Sequence, residues 1–174
     1  GGFPIYGERE NVKMQVETNG LCVISDQYFT DFPSIRHMSN KHEARPYYLA
    51  IHGENGIVWT IPLSSKVDKY KAKISSDEKR HGECIFYYIT RVKGRQSAFL
   101  IGNVIPVVEK YIKKPFTIQG VPFVVEDKAD IKKIQSKLKR YLTMVRYGKL
   151  RPAIDILSIE RQLINKRKNA EYLV

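Results

Sequence analysis

Apolar residues follow two rhythms along this chain, and the change between them falls near Glu126. From Asn11 to about Ile57, and again from Ile85 to Phe123, short β-prone runs are separated by turn signals at intervals of roughly ten residues, which predicts sheet. After Glu126 the residues Ile131, Ile134, Leu138, Tyr141, Leu142 and Val145 recur at helical spacing with lysines and arginines between them, which predicts an amphipathic helix. Asp127 or Asp130 is placed to cap its start and Gly148 to close it. Pro152 then opens a second helix carrying Ile154, Leu157, Ile159 and Leu163, and the polar tail after Asn165 is expected to fray.

Within the sheet half, Tyr47-Tyr48-Leu49-Ala50-Ile51 and Ile57-Val58-Trp59-Thr60-Ile61 flank Gly53-Glu54-Asn55-Gly56, whose Asn-Gly pair predicts a β-hairpin. A second hairpin is expected from Ile85–Arg91 and Ser97–Val104 around the basic tip Lys93-Gly94-Arg95. A third joins Thr117-Ile118 to Phe123-Val124-Val125 through Gln119-Gly120-Val121. Ser25 and Asp26 cap a short helix over Gln27–Phe32, which Pro33 stops. No repeat or low-complexity linker divides the 174 residues, so one domain over 1–174 is expected. Its class is α+β: a curved antiparallel sheet or small barrel packed by C-terminal helices. The first ten residues, beginning Gly1-Gly2 without a methionine, are expected to be an engineered or disordered start and carry no weight in the fold.

Charge changes the picture. Lysine and arginine number 30 against 18 acidic residues, a formal charge of +12. Such an excess attracts polyanions, although a merely solvated basic surface would carry it too. Cys22 and Cys84 each sit among apolar neighbours, as core thiols do. The first twenty residues lack the apolar run of a signal peptide and no stretch is long enough to span a membrane, so a cytoplasmic protein with no membrane partner is expected.

Familiar catalytic signatures are missing: there is no phosphate-binding glycine loop, no H-E-x-x-H, no paired C-x-x-C and no G-x-S-x-G. His37, His42, His52 and His81 have no ligand spacing and read as surface or loop residues, so neither a metal nor a cofactor is expected. Chemistry would then rest on hydroxyls and cations. The run Ile61-Pro62-Leu63-Ser64-Ser65-Lys66-Val67-Asp68-Lys69-Tyr70-Lys71 ends a hairpin strand in two hydroxyls followed by the spaced cations Lys66, Lys69 and Lys71. Hydroxyls and backbone N–H groups there can hold a phosphate while lysines neutralise charge growing on phosphorus. Taken alone, the run reads more readily as a serine-rich turn opening a polar helix with its lysines in solvent. Upstream, Lys41, His42 and Arg45 stand just before the partner strand, where Arg45 can grip a phosphate. Tyr47 or Tyr48 can stack a base, although strand alternation sends at least one of them into the core. Lys93 and Arg95 at the second hairpin tip, and Lys133, Lys137 and Arg140 on the first C-terminal helix, complete the expected RNA-binding set.

The segments Arg45–Ile51 and Trp59–Lys66 resemble the toxins of type III toxin-antitoxin systems, in particular the CptN-like branch of the ToxN/AbiQ family. Ala98–Asn103, Ile105-Pro106-Val107 and Asp155–Glu160 are similar to further pieces of that family, in the same order. The resemblance implies a curved sheet similar to the Kid/MazF toxins. It also implies a metal-independent endoribonuclease that drives a ribose 2′-hydroxyl onto the adjacent phosphate and leaves a 2′,3′-cyclic phosphate. It implies two RNA partners: a target RNA, and an antitoxin of repeated pseudoknots that the toxin processes and that closes with several toxin copies into one assembly. The family's hydroxyl pair falls on Ser64 and Ser65, the cation before the preceding strand on Arg45, and an early active-site tyrosine on Tyr28. Some relatives place proline and then lysine after the hydroxyls; here Lys66 follows at once and Val67 comes next, which leaves Lys66 and Lys69 both as candidates for the catalytic lysine. A non-catalytic RNA-binding module, or an RNA-cutting toxin with an acidic protein antitoxin, would share the same basic face.

Overall fold

The computed structural model describes residues 16–35 and 39–172. The start at residues 1–10, the beginning of the β-prone stretch at Asn11 and His37 lie outside the described residues. The elements run β1 (Leu21–Ile24), α1 (Asp26–Asp31), β2 (Tyr47–His52), β3 (Val58–Ser64), α2 (Val67–His81), β4 (Tyr88–Val92) and β5 (Arg95–Phe99). Then follow β6 (Ile105–Val107), β7 (Ile112–Pro115), β8 (Thr117–Ile118), β9 (Val121–Pro122), α3 (Lys128–Arg146) and α4 (Ile156–Tyr172).

Seven strands form one antiparallel sheet in the order β4-β5-β3-β2-β1-β7, with β6 also on β3. The sheet is open, so of the two expected forms the chain takes the sheet and not the closed barrel. Strand β3 explains the layout. One edge pairs with β2, while the other is shared, Val58–Thr60 with β6 and Leu63-Ser64 with β5. Pro62, which has no N–H to give, stands between the two partners, and its carbonyl accepts from the Leu100 amide at 2.9 Å. Register shifts at Leu49/Ile51 and Val23/Ile24 bend the strands.

The Asn-Gly hairpin forms as expected, with Asn55 and Gly56 at φ 58° and 74°. The second hairpin is shorter than its apolar pattern suggested. Its arms are β4 and β5, because Leu100–Val104 turns away through a 3-10 turn at Ile101–Asn103 to reach β6. Both residues of its tip, Lys93 and Gly94, have positive φ, as do Gln119 and Gly120 at the third. That is the backbone that joins twisted strands through two residues. In the third hairpin the return arm is Val121-Pro122. Phe123–Val125 instead bonds to Asn19–Leu21 beside β1.

Helix α3 buries Ile134, Leu138, Tyr141, Leu142 and Val145, the expected face, and Asp127 caps it by accepting from the Asp130 amide at 2.9 Å. Helix α4 corrects one expectation: it starts at Ile156 behind an Asp155 cap that accepts from the Ser158 amide at 3.0 Å, not at Pro152. The polar stretch after Asn165 is helical as far as Tyr172. Its buried Ile156, Ile159 and Leu163 join the main core between sheet and helices. Burial of each such side chain stabilises the fold by about 1.5–3 kcal/mol. Cys22 and Cys84 are both free and buried. Helix α2, which the sequence pattern offered only as the plainer reading of the serine-lysine run, is fifteen residues long. Tyr70 anchors it by packing in a small separate cluster with Ala98 and Leu100, its ring 4.9 Å from that of Tyr87.

Candidate active site and basic grooves

The β2–β3 pairing sets Tyr47 opposite Pro62, so the loop that leads into β2 lies beside the hydroxyls that end β3. Arg45 ties the two together. Its Nη1 donates to the Leu63 carbonyl and its Nε to the Ser39 carbonyl, each at 2.7 Å, while the Leu63 amide donates to Pro46 at 3.0 Å. Arg45 is only 7% exposed. Through Nε and Nη1 it is held by two carbonyls, and it positions Leu63 and hence Ser64.

The loop before Arg45 is held against its own preference. Lys41, His42 and Glu43 have φ of 50°, 53° and 67°, three successive non-glycine residues in the left-handed region. Glu43 restrains it by pairing with Lys113 and by accepting from the Asp26 amide at 2.9 Å. Those partners, Lys113 first, hold the Glu43 carboxyl below the usual carboxylate range. Asn40 adds bonds from Nδ2 to the Ile24 carbonyl at 2.9 Å and to the Asp26 carboxylate at 2.8 Å.

Beside this loop runs a groove of about 440 Å³. Lys41, Ser64 and Ser65 line one part, Lys93, Arg95 and Ser97 come from the β4–β5 hairpin, and Gln119 comes from the turn between β8 and β9. Its apolar floor includes Leu21, Leu63, Val92 and Phe116. The Ser64 hydroxyl oxygen accepts from the Lys66 amide at 3.2 Å, which leaves its proton to be donated elsewhere. Ser65 is exposed, and the N-cap residue of α2, Lys66, places no side-chain cap on the first turn of that helix. Among the described residues the wall holds no carboxylate and no histidine, so its polar lining is hydroxyls, one amide and cations. An anion such as a phosphodiester fits this lining.

Five expected residues therefore meet: Lys41, Ser64, Ser65, Lys93 and Arg95. Others do not. Tyr28 is 0% exposed, and its hydroxyl donates to the Pro106 carbonyl at 2.6 Å among the rings of Phe29, Phe32 and Tyr111. Burial pushes its phenol well above the ordinary tyrosine value. It is a core residue, which corrects its expected place in an active site. Tyr47, at 1% exposed, has no free face on which to stack a base, so that expectation is corrected as well, and Tyr48 is buried with it. Lys66 and Lys69 are exposed at the start of α2, outside the groove wall, with Lys69 over the Tyr70 ring. His42 is exposed beside Lys41. Ser97 and Gln119 were missed by sequence reading; Gly94 and Gly120 marked their turns but not that the two tips converge.

The remaining cations gather elsewhere. A larger groove of about 830 Å³ between α2 and α3 is lined by Lys71, Lys132, Lys133, Lys137 and Arg140. Lys137 donates to the Cys84 carbonyl, Arg140 pairs with Glu83, and Lys71 bonds Gln96 at 2.8 Å. The two grooves share no wall residue. Size does not decide where chemistry lies, and the smaller groove alone holds the paired serine hydroxyls at a strand end. Among the described residues no group of three or more His, Cys, Asp or Glu could hold a metal ion, and no helix is long and apolar enough to cross a membrane.

No family model matches the chain, and no curated protein matches it in sequence. Solved structures do. One is AbiQ, a lactococcal anti-phage endoribonuclease belonging to the type III toxin-antitoxin system, with a TM-score of 0.60 at 20% identity, covering 86% of this chain and 99% of that one. Another belongs to a bacterial antiviral system regulated by a processed non-coding RNA, with a TM-score of 0.59 at 14% identity, covering 84% of this chain and 97% of that one. The chain thus has, over most of its length, the fold that these two proteins share.

Proposed function

We propose that this protein is the endoribonuclease toxin of a type III toxin-antitoxin system, acting in the cytoplasm and held in check by an RNA antitoxin. The observation that carries the reading is the groove in which Ser64 and Ser65 face Lys41, Lys93 and Arg95, on the fold of an anti-phage endoribonuclease.

In the reaction we infer, the ribose 2′-oxygen bonds to the adjacent phosphorus, its proton leaves to solvent water, and the bond to the 5′-oxygen breaks as that oxygen takes a proton. The products are a 2′,3′-cyclic phosphate and a 5′-hydroxyl. The substrate supplies the nucleophile, so the protein must position the phosphate and stabilise the added charge. Ser64 and Ser65 donate to the phosphoryl oxygens, the groove cations offset their charge, and Lys66 or Lys69 supplies the proton to the leaving oxygen. No step calls for a metal. The antitoxin, repeated pseudoknots cut from a longer transcript, would lie along the α2–α3 groove as well, several copies closing with several toxins. That use of both grooves accounts for the charge of +12.

The test is incubation of purified protein with single-stranded RNA in excess EDTA. Fragments ending in cyclic phosphate are expected, formed about 100-fold or more slowly with Ser65→Ala. Intact RNA would point to a binding module, and a strict need for a divalent ion would overturn the mechanism. A tandem array of short repeats in the DNA ahead of the gene is expected, and copurification with an acidic protein in place of RNA would contradict the antitoxin assignment.

A further inference from the structure

The groove that holds the serines does not end at the hairpin tips. Lys93 and Ile118 also line a second hollow of about 370 Å³, which continues between the β4–β5 and β8–β9 hairpins toward the start of α3. Its character is different. Val121, 62% exposed, stands with Pro122 and Phe123 along its apolar side, and Arg91 stands at its rim beside Lys93. Three carboxylate residues line it as well, Glu126, Asp127 and Asp130.

Two of those carboxylates have work inside the fold. Asp130 accepts from the Tyr88 hydroxyl at 2.7 Å and the Thr90 hydroxyl at 2.8 Å, and Asp127 caps α3. Glu126 is exposed and takes no hydrogen bond or ion pair among the described residues. Such a group in a channel meant for RNA repels phosphate, so it can favour RNA only where a base edge arrives in its place. Carboxylates accept from the exocyclic amines of bases, and apolar surface left exposed beside them suits a base face that has been pulled out of its stack.

We propose that this hollow is a recognition subsite for one unpaired base carrying an exocyclic amine, in the RNA strand that passes through the serine groove. Resting on the reading of that groove as the cleavage site, it would make the enzyme choose its cutting position. The base lies against Val121 and Pro122, its amine donates to the Glu126 carboxylate, and Lys93, shared by both hollows, meets the phosphate between this base and the scissile link. Uracil, with no such amine, is disfavoured there.

The test uses a short single-stranded RNA with a mapped cut, remade with one flanking nucleotide at a time lacking its amine: purine riboside for adenosine, inosine for guanosine, uridine for cytidine. One position should lower wild-type kcat/KM about tenfold when its amine is lost. Glu126→Ala should cut the parent and the amine-free RNA at that position within about twofold of each other. Val121→Asp, which removes the apolar side, should weaken both. Insensitivity at every flanking position in the wild type, or full discrimination retained by Glu126→Ala, would overturn the subsite. If the wild type cuts no RNA, it is the cleavage reading that fails, and fluorescence anisotropy with the same oligonucleotides still decides the subsite. Amine-dependent affinity lost in Glu126→Ala upholds it, and equal affinities overturn it.

Discussion

Arg45 donates from Nη1 to the carbonyl of Leu63 at 2.7 Å, so a buried cation at the start of β2 fixes the residue immediately before the serine pair. Its second bond, to Ser39, anchors the left-handed loop that presents Lys41. Replacing it should therefore cost both stability and rate. Arg45→Ala leaves two carbonyls without their charged donor and should destabilise the protein by about 2–4 kcal/mol, with cleavage reduced at least tenfold. Arg45→Lys, able to reach one carbonyl, should fall between. Thermal melting beside kcat/KM checks this, and a variant with full stability but no activity would return Arg45 to the phosphate.

Ser65 is the contrasting case. Its side chain is exposed and makes no hydrogen bond among the described residues, so Ser65→Ala should melt with the wild type while cleavage drops about 100-fold or more, as for a lost transition-state donor. On the proposed function, affinity for an RNA antitoxin would be spread over many phosphate contacts and should change little. Titration of RNA binding beside single-turnover cleavage separates the two effects.

Much of this arrangement could be read from the sequence, and its limits are physical. Asn55-Gly56 announced β2 and β3 because a two-sided apolar pattern and a positive-φ pair leave few other folds for that stretch. The apolar spacing of α3 was equally plain. Helix α2 was not, since only Tyr70 along its length is buried and most of its other residues are polar or charged. Local pattern also could not tell that Tyr28 and Tyr47 would be core and Ser65 exposed, because strand order decides which ends of the sheet lie under other elements. The convergence of Lys93, Arg95 and Gln119 on the serines depends on contacts distant in sequence, which periodicity does not encode.

Which lysine serves the leaving oxygen turns on the first turn of α2. Lys66 adjoins Ser65, whereas Lys69 lies one turn on, over Tyr70. Proximity to the hydroxyls favours Lys66, so Lys66→Ala should lose about 100-fold in kcat and Lys69→Ala less than tenfold. The reverse order would assign the proton donor to Lys69.

Salt should report how many phosphates the serine groove engages. If Lys41, Lys93 and Arg95 each neutralise one phosphate of a single strand, their part of the slope of log affinity against log salt is about −2, and a fourfold rise in salt weakens binding roughly twentyfold. Lys93→Ala should flatten the slope by about 0.7. A slope indifferent to this change would place the strand elsewhere, and filter binding across a salt series measures it.

The buried tyrosines make a prediction about alkali and about Tyr28. Burial lifts the phenols of Tyr48 and Tyr141 to about 12, and those of Tyr28, Tyr47 and Tyr111 higher than in free tyrosine as well. An unfolded chain ionises its tyrosines near pH 10, whereas the folded chain keeps these protons. Above that pH the folded state binds more protons than the unfolded one, so stability is fully present below about pH 10 and falls as pH rises toward the folded values. The urea midpoint should therefore hold between about pH 7 and 9 and decline above about pH 10, with phenolate absorbance rising together with unfolding. Tyr28→Phe removes one of these phenols and leaves the Pro106 carbonyl without its donor, a loss of about 1–3 kcal/mol at neutral pH, with a shallower alkaline decline. Because Tyr28 is enclosed in the core, cleavage by the folded variant should stay within about threefold of wild type. A hundredfold loss at unchanged stability would instead put the Tyr28 hydroxyl at the scissile phosphate.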